Sequence, residues 1–204
     1  MLRIAVLVSG GGTNLQAIID NLAAGKIQNC EIAVVISSKP DVYALARAAC
    51  AGIETVVIEK STVEDFDSSL LATLTKHKVD FIVLAGFMSI LGAKFISEFQ
   101  NKIINVHPSL IPSFCGKGFY GLIPHKAALQ YGVKLTGATV HFVTEGADEG
   151  PIILQKSVGI CEGDTPEILQ QRVMQEAEWE ILPQAIDLFC AGRLTVDGRV
   201  VHIK

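Results

Sequence analysis

The chain has 204 residues, half of them hydrophobic and 19% charged, with a formal net charge of −4. This is core material for one domain; it excludes a disordered chain, and no stretch reads as a linker. The acidic balance, without any Lys/Arg block longer than two residues, argues against a nucleic-acid partner and leaves small anionic substrates open.

The first apolar run, residues 2 to 8, is stopped by glycines and reads as a buried strand, not a signal peptide. Further strand-like runs follow at 31 to 37, 54 to 58, 80 to 84 and 102 to 106. None of the apolar runs, including Phe81 to Phe87, is long enough to cross a bilayer. Amphipathic stretches at 14 to 24, 41 to 51 and 64 to 76 fill the gaps, with Asp41 after Pro40 as a start signal and Gly52 as a stop. A short helix is expected at 92 to 99. This alternation predicts an α/β fold with a doubly wound, mostly parallel sheet. From Pro108 to Pro124 prolines and glycines mark a long irregular segment, of a length usually tied to function, before a helix at about 125 to 131. Strands at 136 to 144 and 151 to 160 are joined too tightly for a helical crossover, so they are expected to be antiparallel. A long helix starts at Thr165-Pro166-Glu167 and runs toward Cys190, with a kink expected at Pro183. Asp197-Gly198 marks a terminal hairpin. Five cysteines at wide spacings, Cys30, Cys50, Cys115, Cys161 and Cys190, show no zinc pattern and suggest a reduced, cytoplasmic protein.

Ser9-Gly10-Gly11-Gly12-Thr13-Asn14 lies between the first strand and the first helix, where backbone N–H groups and the helix dipole favour a phosphate. It is neither a dinucleotide fingerprint, since Leu15 stands where the third glycine belongs, nor a P-loop, since Gly-Lys-Ser/Thr is missing. A mononucleotide-style phosphate seat and a plain tight turn with an N-capping Thr or Asn are the two readings.

Asn105 and His107 are two apart in an extended segment and so share a face, and Pro108 ends the ladder just beyond them. An amide and an imidazole side by side make a donor pair for a developing oxyanion, and an Asp would favour the charged imidazole. Asp148, in Ala147-Asp148-Glu149-Gly150, is the candidate, although each of the three also has a bland reading as a turn or core residue. In a parallel sheet, ligands bind beyond the carboxyl ends of strands, which is where Asn105, His107 and the glycine loop are expected. The chemistry indicated is acyl transfer without a covalent nucleophile or a metal.

The chain resembles the glycinamide ribonucleotide formyltransferase family over nearly its whole length. The matching stretches are Ser9 to Ile18, Leu84-Ala85-Gly86-Phe87-Met88, Asn105-Val106-His107-Pro108-Ser109-Leu110-Ile111-Pro112, His141-Phe142-Val143 and Asp148-Glu149-Gly150-Pro151-Ile152-Ile153. The resemblance implies a Rossmann-like formyltransferase fold with antiparallel strands in the C-terminal half. It implies one domain over 1–204, with residues 1–100 as the phosphate-binding half and 101–204 as the catalytic and folate-binding half. By it, Asn105, His107 and Asp148 are the catalytic trio. Gly12, Thr13 and Asn14 seat the ribonucleotide phosphate, and Glu178 binds the same substrate on a helix that aligns with a one-residue shift. Met88, Ser89, Ile90, Leu91, Asn105, His141 and Val143 border the folate. His125 aligns with a histidine near the phosphate and reads equally well as a helix-start residue.

The implied reaction moves a formyl group from the co-substrate 10-formyltetrahydrofolate to the amine of 5-phosphoribosylglycinamide in purine biosynthesis. The oxyanion would be held by Asn105 and protonated His107, with Asp148 keeping the imidazole charged. No metal is implied, and the partners are small molecules, without nucleic acid or membrane, for a monomer or homodimer. Ser89 and Val63 stand where many members carry arginines associated with the folate, so the glutamate tail is expected to be held differently, by Lys94 or not specifically at all. Two relatives of this chemistry fit less well: methionyl-tRNA formyltransferase needs a further tRNA-binding domain, and formyltetrahydrofolate hydrolase an N-terminal regulatory one. A nucleotide sensor on the same fold would keep the glycine loop without needing the trio.

Overall fold

The computed structural model describes residues 1–62 and 65–204. The chain divides into two compact units, Met1–Asn105 and Val106–Lys204.

In the first unit, β1 (Leu2–Val8), β2 (Cys30–Ser37), β3 (Thr55–Val57), β4 (Phe81–Leu84) and β5 (Ile103–His107), whose last two residues open the second unit, alternate with helices. These helices are α1 (Thr13–Ala23), α2 (Tyr43–Cys50), α3 (Phe66–Lys76) and α4 (Ala93–Glu98). All the strand pairings are parallel, in the order β3-β2-β1-β4-β5. The order reverses at β1, so the crevice beyond its carboxyl end and that of β4 is the topological switch point. β1 explains its central place: Ile4 to Val8 are all fully buried, as a strand covered on both faces must be. Each large apolar side chain so buried contributes about 1.5–3 kcal/mol.

Where boundaries differ from expectation, backbone chemistry explains it. α2 starts at Tyr43 because Asp41 has φ 54, a left-handed conformation that cannot begin a helix. α3 is capped by Asp65, whose carboxylate accepts the Ser68 N–H. The expected residue 64 of that helix and Val63 lie outside the described residues.

In the second unit, α5 (Ile123–Tyr131) begins earlier than expected because Pro124 fits a first helical turn. β6 (Leu135–Phe142) and β7 (Ile152–Gly159) are antiparallel, as expected. Gly137 permits their approach, since a Cβ there would lie 2.0 Å from the Lys156 carbonyl oxygen. β8 (Leu194–Asp197) and β9 (Val200–Ile203) form the terminal hairpin, and β9 also pairs with β7 at Ile152 and Val200. The long helix is divided. α6 (Pro166–Val173), capped by Thr165, passes into a π-helical turn, Met174–Glu178, and then α7 (Trp179–Cys190). The recorded departure from α geometry is therefore this turn, upstream of the kink expected at Pro183. No helix among the described residues is long and apolar enough to cross a membrane.

Candidate active site

In the first unit the glycine loop occupies the switch point. Gly12 (φ 73) is the N-cap of α1 and makes no side-chain cap bond, so Thr13 and Asn14 are the first helical residues. The reading of either as a mere capping side chain is thereby removed. Only glycine fits at 12, because a Cβ there would lie 2.7 Å from the Ala44 Cβ in addition to the left-handed strain. Beside this loop runs the segment after β4. The Met88 N–H donates to Ser9 Oγ at 2.8 Å, and Ser9 Oγ is 2.6 Å from Ser38 Oγ. One hydroxyl thus ties residues expected at the folate to those expected at the phosphate. Met88 and Ile90 are exposed and Ser89 is half-exposed, but Leu91 is buried with its side chain in the core.

Asn105 and His107 stand two apart on β5, Asn105 half-buried and His107 buried. The second unit then assembles a carboxylate between two imidazoles. His107 Nδ1 lies 3.4 Å from Asp148 Oδ2, and His141 Nε2 lies 3.5 Å from Asp148 Oδ1. Each ring is pinned at its far nitrogen by a backbone carbonyl, which can only accept. His107 Nε2 donates to Phe114 O at 3.0 Å, and His141 Nδ1 donates to Phe142 O at 2.8 Å. Asp148 itself is held in the left-handed region (φ 59) and accepts the Gly116 N–H at 2.8 Å. Gly150, just beyond, has no alternative, since a Cβ there would fall 1.7 Å from the Phe142 carbonyl oxygen.

The electrostatics correct one expectation. Burial holds His107 below its ordinary value; the Asp148 charge and the Phe114 bond oppose that fall without reversing it, and His141 adds to it. The sequence-based picture of a raised His107 is therefore not met, because a ring this deep loses more solvation than one carboxylate at 3.4 Å restores. Burial pushes the Asp148 carboxyl up, but its bond to His141, the His107 charge and the Gly116 N–H together bring it below the usual range. Asp148 is the anion of the group.

Two participants escaped sequence reading. The Phe114 carbonyl and the Gly116 amide belong to the irregular 113–121 segment, which offers no side-chain signal for either contact. Phe114 sits at φ 51, unusual for a bulky residue, with its ring edge-on to Tyr131 at 6.0 Å. Cys115 Sγ donates to Pro112 O, and burial followed by the Asp148 and Glu149 charges pushes its thiol up, which fits loop packing and not a nucleophile.

His141, expected at the folate, is buried against Asp148, while Val143 is half-exposed. His125 lies in the first turn of α5, fully buried, with neither ring nitrogen hydrogen-bonded. Burial, and then the positive charge of His107, push it down to about 4, so it is neutral at physiological pH. Glu178 is buried at the end of the π-helical turn, a kind of turn that adds one residue to a helix. Among the described residues no three His, Cys, Asp or Glu side chains converge to hold a metal ion.

Residues 2–186 match the formyl transferase family. The phosphoribosylglycinamide formyltransferase of Escherichia coli (strain K12) is 40% identical over 95% of this chain and 89% of its own length. The chain also matches the human trifunctional purine biosynthetic protein adenosine-3, 43% identical over 99% of this chain, but spans only 20% of that protein. Among solved structures, glycinamide ribonucleotide transformylase 1 from Symbiobacterium toebii has a TM-score of 0.93 and 46% identity, covering 100% of this chain and 94% of its own. On matches of this extent, the α/β chain belongs to the formyl transferase family.

Proposed function

We propose that this chain transfers the formyl group of 10-formyltetrahydrofolate to the primary amine of 5-phosphoribosylglycinamide, in purine biosynthesis. The reading rests above all on Asp148 Oδ2, half-buried, lying 3.4 Å from Nδ1 of the buried His107, an acid–base pair at the end of a sheet strand. The family relationship and the relatives named phosphoribosylglycinamide formyltransferase support the substrates.

The Gly12–Asn14 loop takes the phosphate of the ribonucleotide, with Glu178 on the same substrate. The segment from Met88 to Leu91 borders the folate through its backbone and its exposed side chains. The unprotonated amine attacks the formyl carbon, and the carbonyl pair moves to oxygen. Asn105 and the Nε2–H of His107 donate to that oxyanion. That N–H also lies 3.0 Å from Phe114 O, a second acceptor beside it. As the oxyanion develops, its charge adds to that of Asp148, and the two together favour an imidazolium that Asp148 alone does not secure. The oxyanion then collapses, the bond from carbon to N10 breaks, and N10 receives the proton lost by the amine, through His107 or water. Preorganised donors of this kind contribute about 100- to 1000-fold each.

The test is deformylation of a 10-formylfolate analogue by purified protein, with and without glycinamide ribonucleotide. Turnover only with the ribonucleotide is expected. Deformylation by water alone would make the chain a hydrolase, and nucleotide binding without turnover would make it a sensor.

A further inference from the structure

We infer that Arg47 is a positioning residue for the phosphate seat, holding the glycine loop so that its carbonyl oxygens are withdrawn and its N–H groups are left for the anion. The inference rests on the proposed role of the Gly12–Asn14 loop and extends it to a residue on a different helix.

Three successive carbonyls of the loop are each engaged from outside it. Gly10 O accepts the Ala44 N–H at 3.2 Å, and Gly12 O accepts the Gln16 N–H at 2.9 Å. Gly11 O accepts from Arg47 Nε at 2.9 Å, making Arg47 the only side chain in the set. Its Nη1 donates to Gln16 Oε1 at 3.0 Å, so one guanidinium joins the loop to the first turns of α1. The guanidinium carbon lies 4.7 Å from the centre of the Tyr43 ring, which fixes the plane of the fork. Ala44, one turn before Arg47 on α2, is the residue that excludes a side chain at Gly12. One face of α2 therefore shapes the loop at three consecutive glycines.

The physical consequence is specific. A peptide that turns its carbonyl toward a phosphate repels it, and one that turns its N–H toward it binds it. Gly11 has an exposed backbone and no side chain to restrain it, so the orientation of its peptide depends on the bond from Arg47. A lysine would retain the positive charge but not the planar fork that reaches Gly11 O and Gln16 Oε1 together.

The experiment uses the full chain and two readouts, inhibition by inorganic phosphate competing with the ribonucleotide, and steady-state KM and kcat for both substrates. For Arg47→Ala we expect the phosphate inhibition constant and the ribonucleotide KM to rise about tenfold, the loss of one charged hydrogen bond, with kcat and the folate KM within twofold. Arg47→Lys should recover only part of this, leaving a rise of roughly threefold, and carries the test if the alanine variant does not fold. If phosphate does not compete in the wild-type protein, the seat itself is misassigned. If phosphate competes but Arg47→Ala changes neither constant, or moves kcat and the folate KM in parallel, Arg47 has no positioning role. Full recovery in Arg47→Lys would show that charge alone acts, and would also overturn it.

Discussion

Asp148 Oδ2 lies 3.4 Å from His107 Nδ1, while the opposite nitrogen of that ring donates to a backbone carbonyl. His107 therefore has an acceptor at each end, although its burial opposes the charge that would satisfy both. Asp148→Asn removes the negative charge that does most to raise His107 while hardly changing volume. The His107 pKa, already below its ordinary value, is expected to fall further, and turnover at neutral pH to drop by roughly 100-fold with substrate binding retained. Lowering the pH should restore part of the activity until the substrate amine, near about 8 for an α-amine, is protonated away. NMR titration of His107 alongside pH–rate profiles checks this; unchanged titration and turnover would reduce Asp148 to a turn residue.

Thr13 and Asn14 are the first residues of α1, and neither caps it. Their replacement by Ala should therefore leave helix stability nearly intact and raise the ribonucleotide KM, with little change for folate. Paired KM measurements decide the matter, and loss of folate binding with intact nucleotide binding would place the phosphate seat elsewhere.

His125 is fully buried and pushed down to about 4. An unfolded histidine binds a proton near about 6.5, so the unfolded state takes up protons first as pH falls. The neutral ring's full contribution is present above about pH 6.5 and is lost progressively down to about pH 4, a change on the order of 3 kcal/mol. His107, lowered in the same direction, contributes with the same sign. His125→Phe should flatten the fall in thermal midpoint between pH 7 and pH 4.5, as read by calorimetry, to about half the wild-type slope. An unaltered slope would mean that His125 does not titrate in this range.

Ser89 places no cation on the segment after β4, and Val63 lies outside the described residues. The chain is expected to discriminate weakly between mono- and polyglutamylated folates at moderate ionic strength, with KM values within about threefold. A steep gain with added glutamates that disappears in salt would show that other cations, Lys94 foremost, hold the tail.

Much of this protein follows from short stretches of its sequence. Ile4 to Val8 could only be a central strand, the alternation of strands and helices led to the parallel sheet of the first unit, and the two-residue period placed Asn105 and His107 on one face of β5. The short Thr144 to Gly150 connection required β6 and β7 to be antiparallel. These features depend on interactions within a few residues, which is why they can be read locally.

Tertiary structure decided the state of the site. Two partners of the His107–Asp148 pair, the carbonyl of Phe114 and the amide of Gly116, come from a segment with no side-chain signal, and His141, expected at the folate, turns its ring to Asp148 instead. Arg47 reaches Gly11 across 36 residues. Above all, an Asp beside a His predicts a raised imidazole only when solvation is left out, and desolvation is a property of everything packed around the ring, which no neighbouring residue in the sequence records.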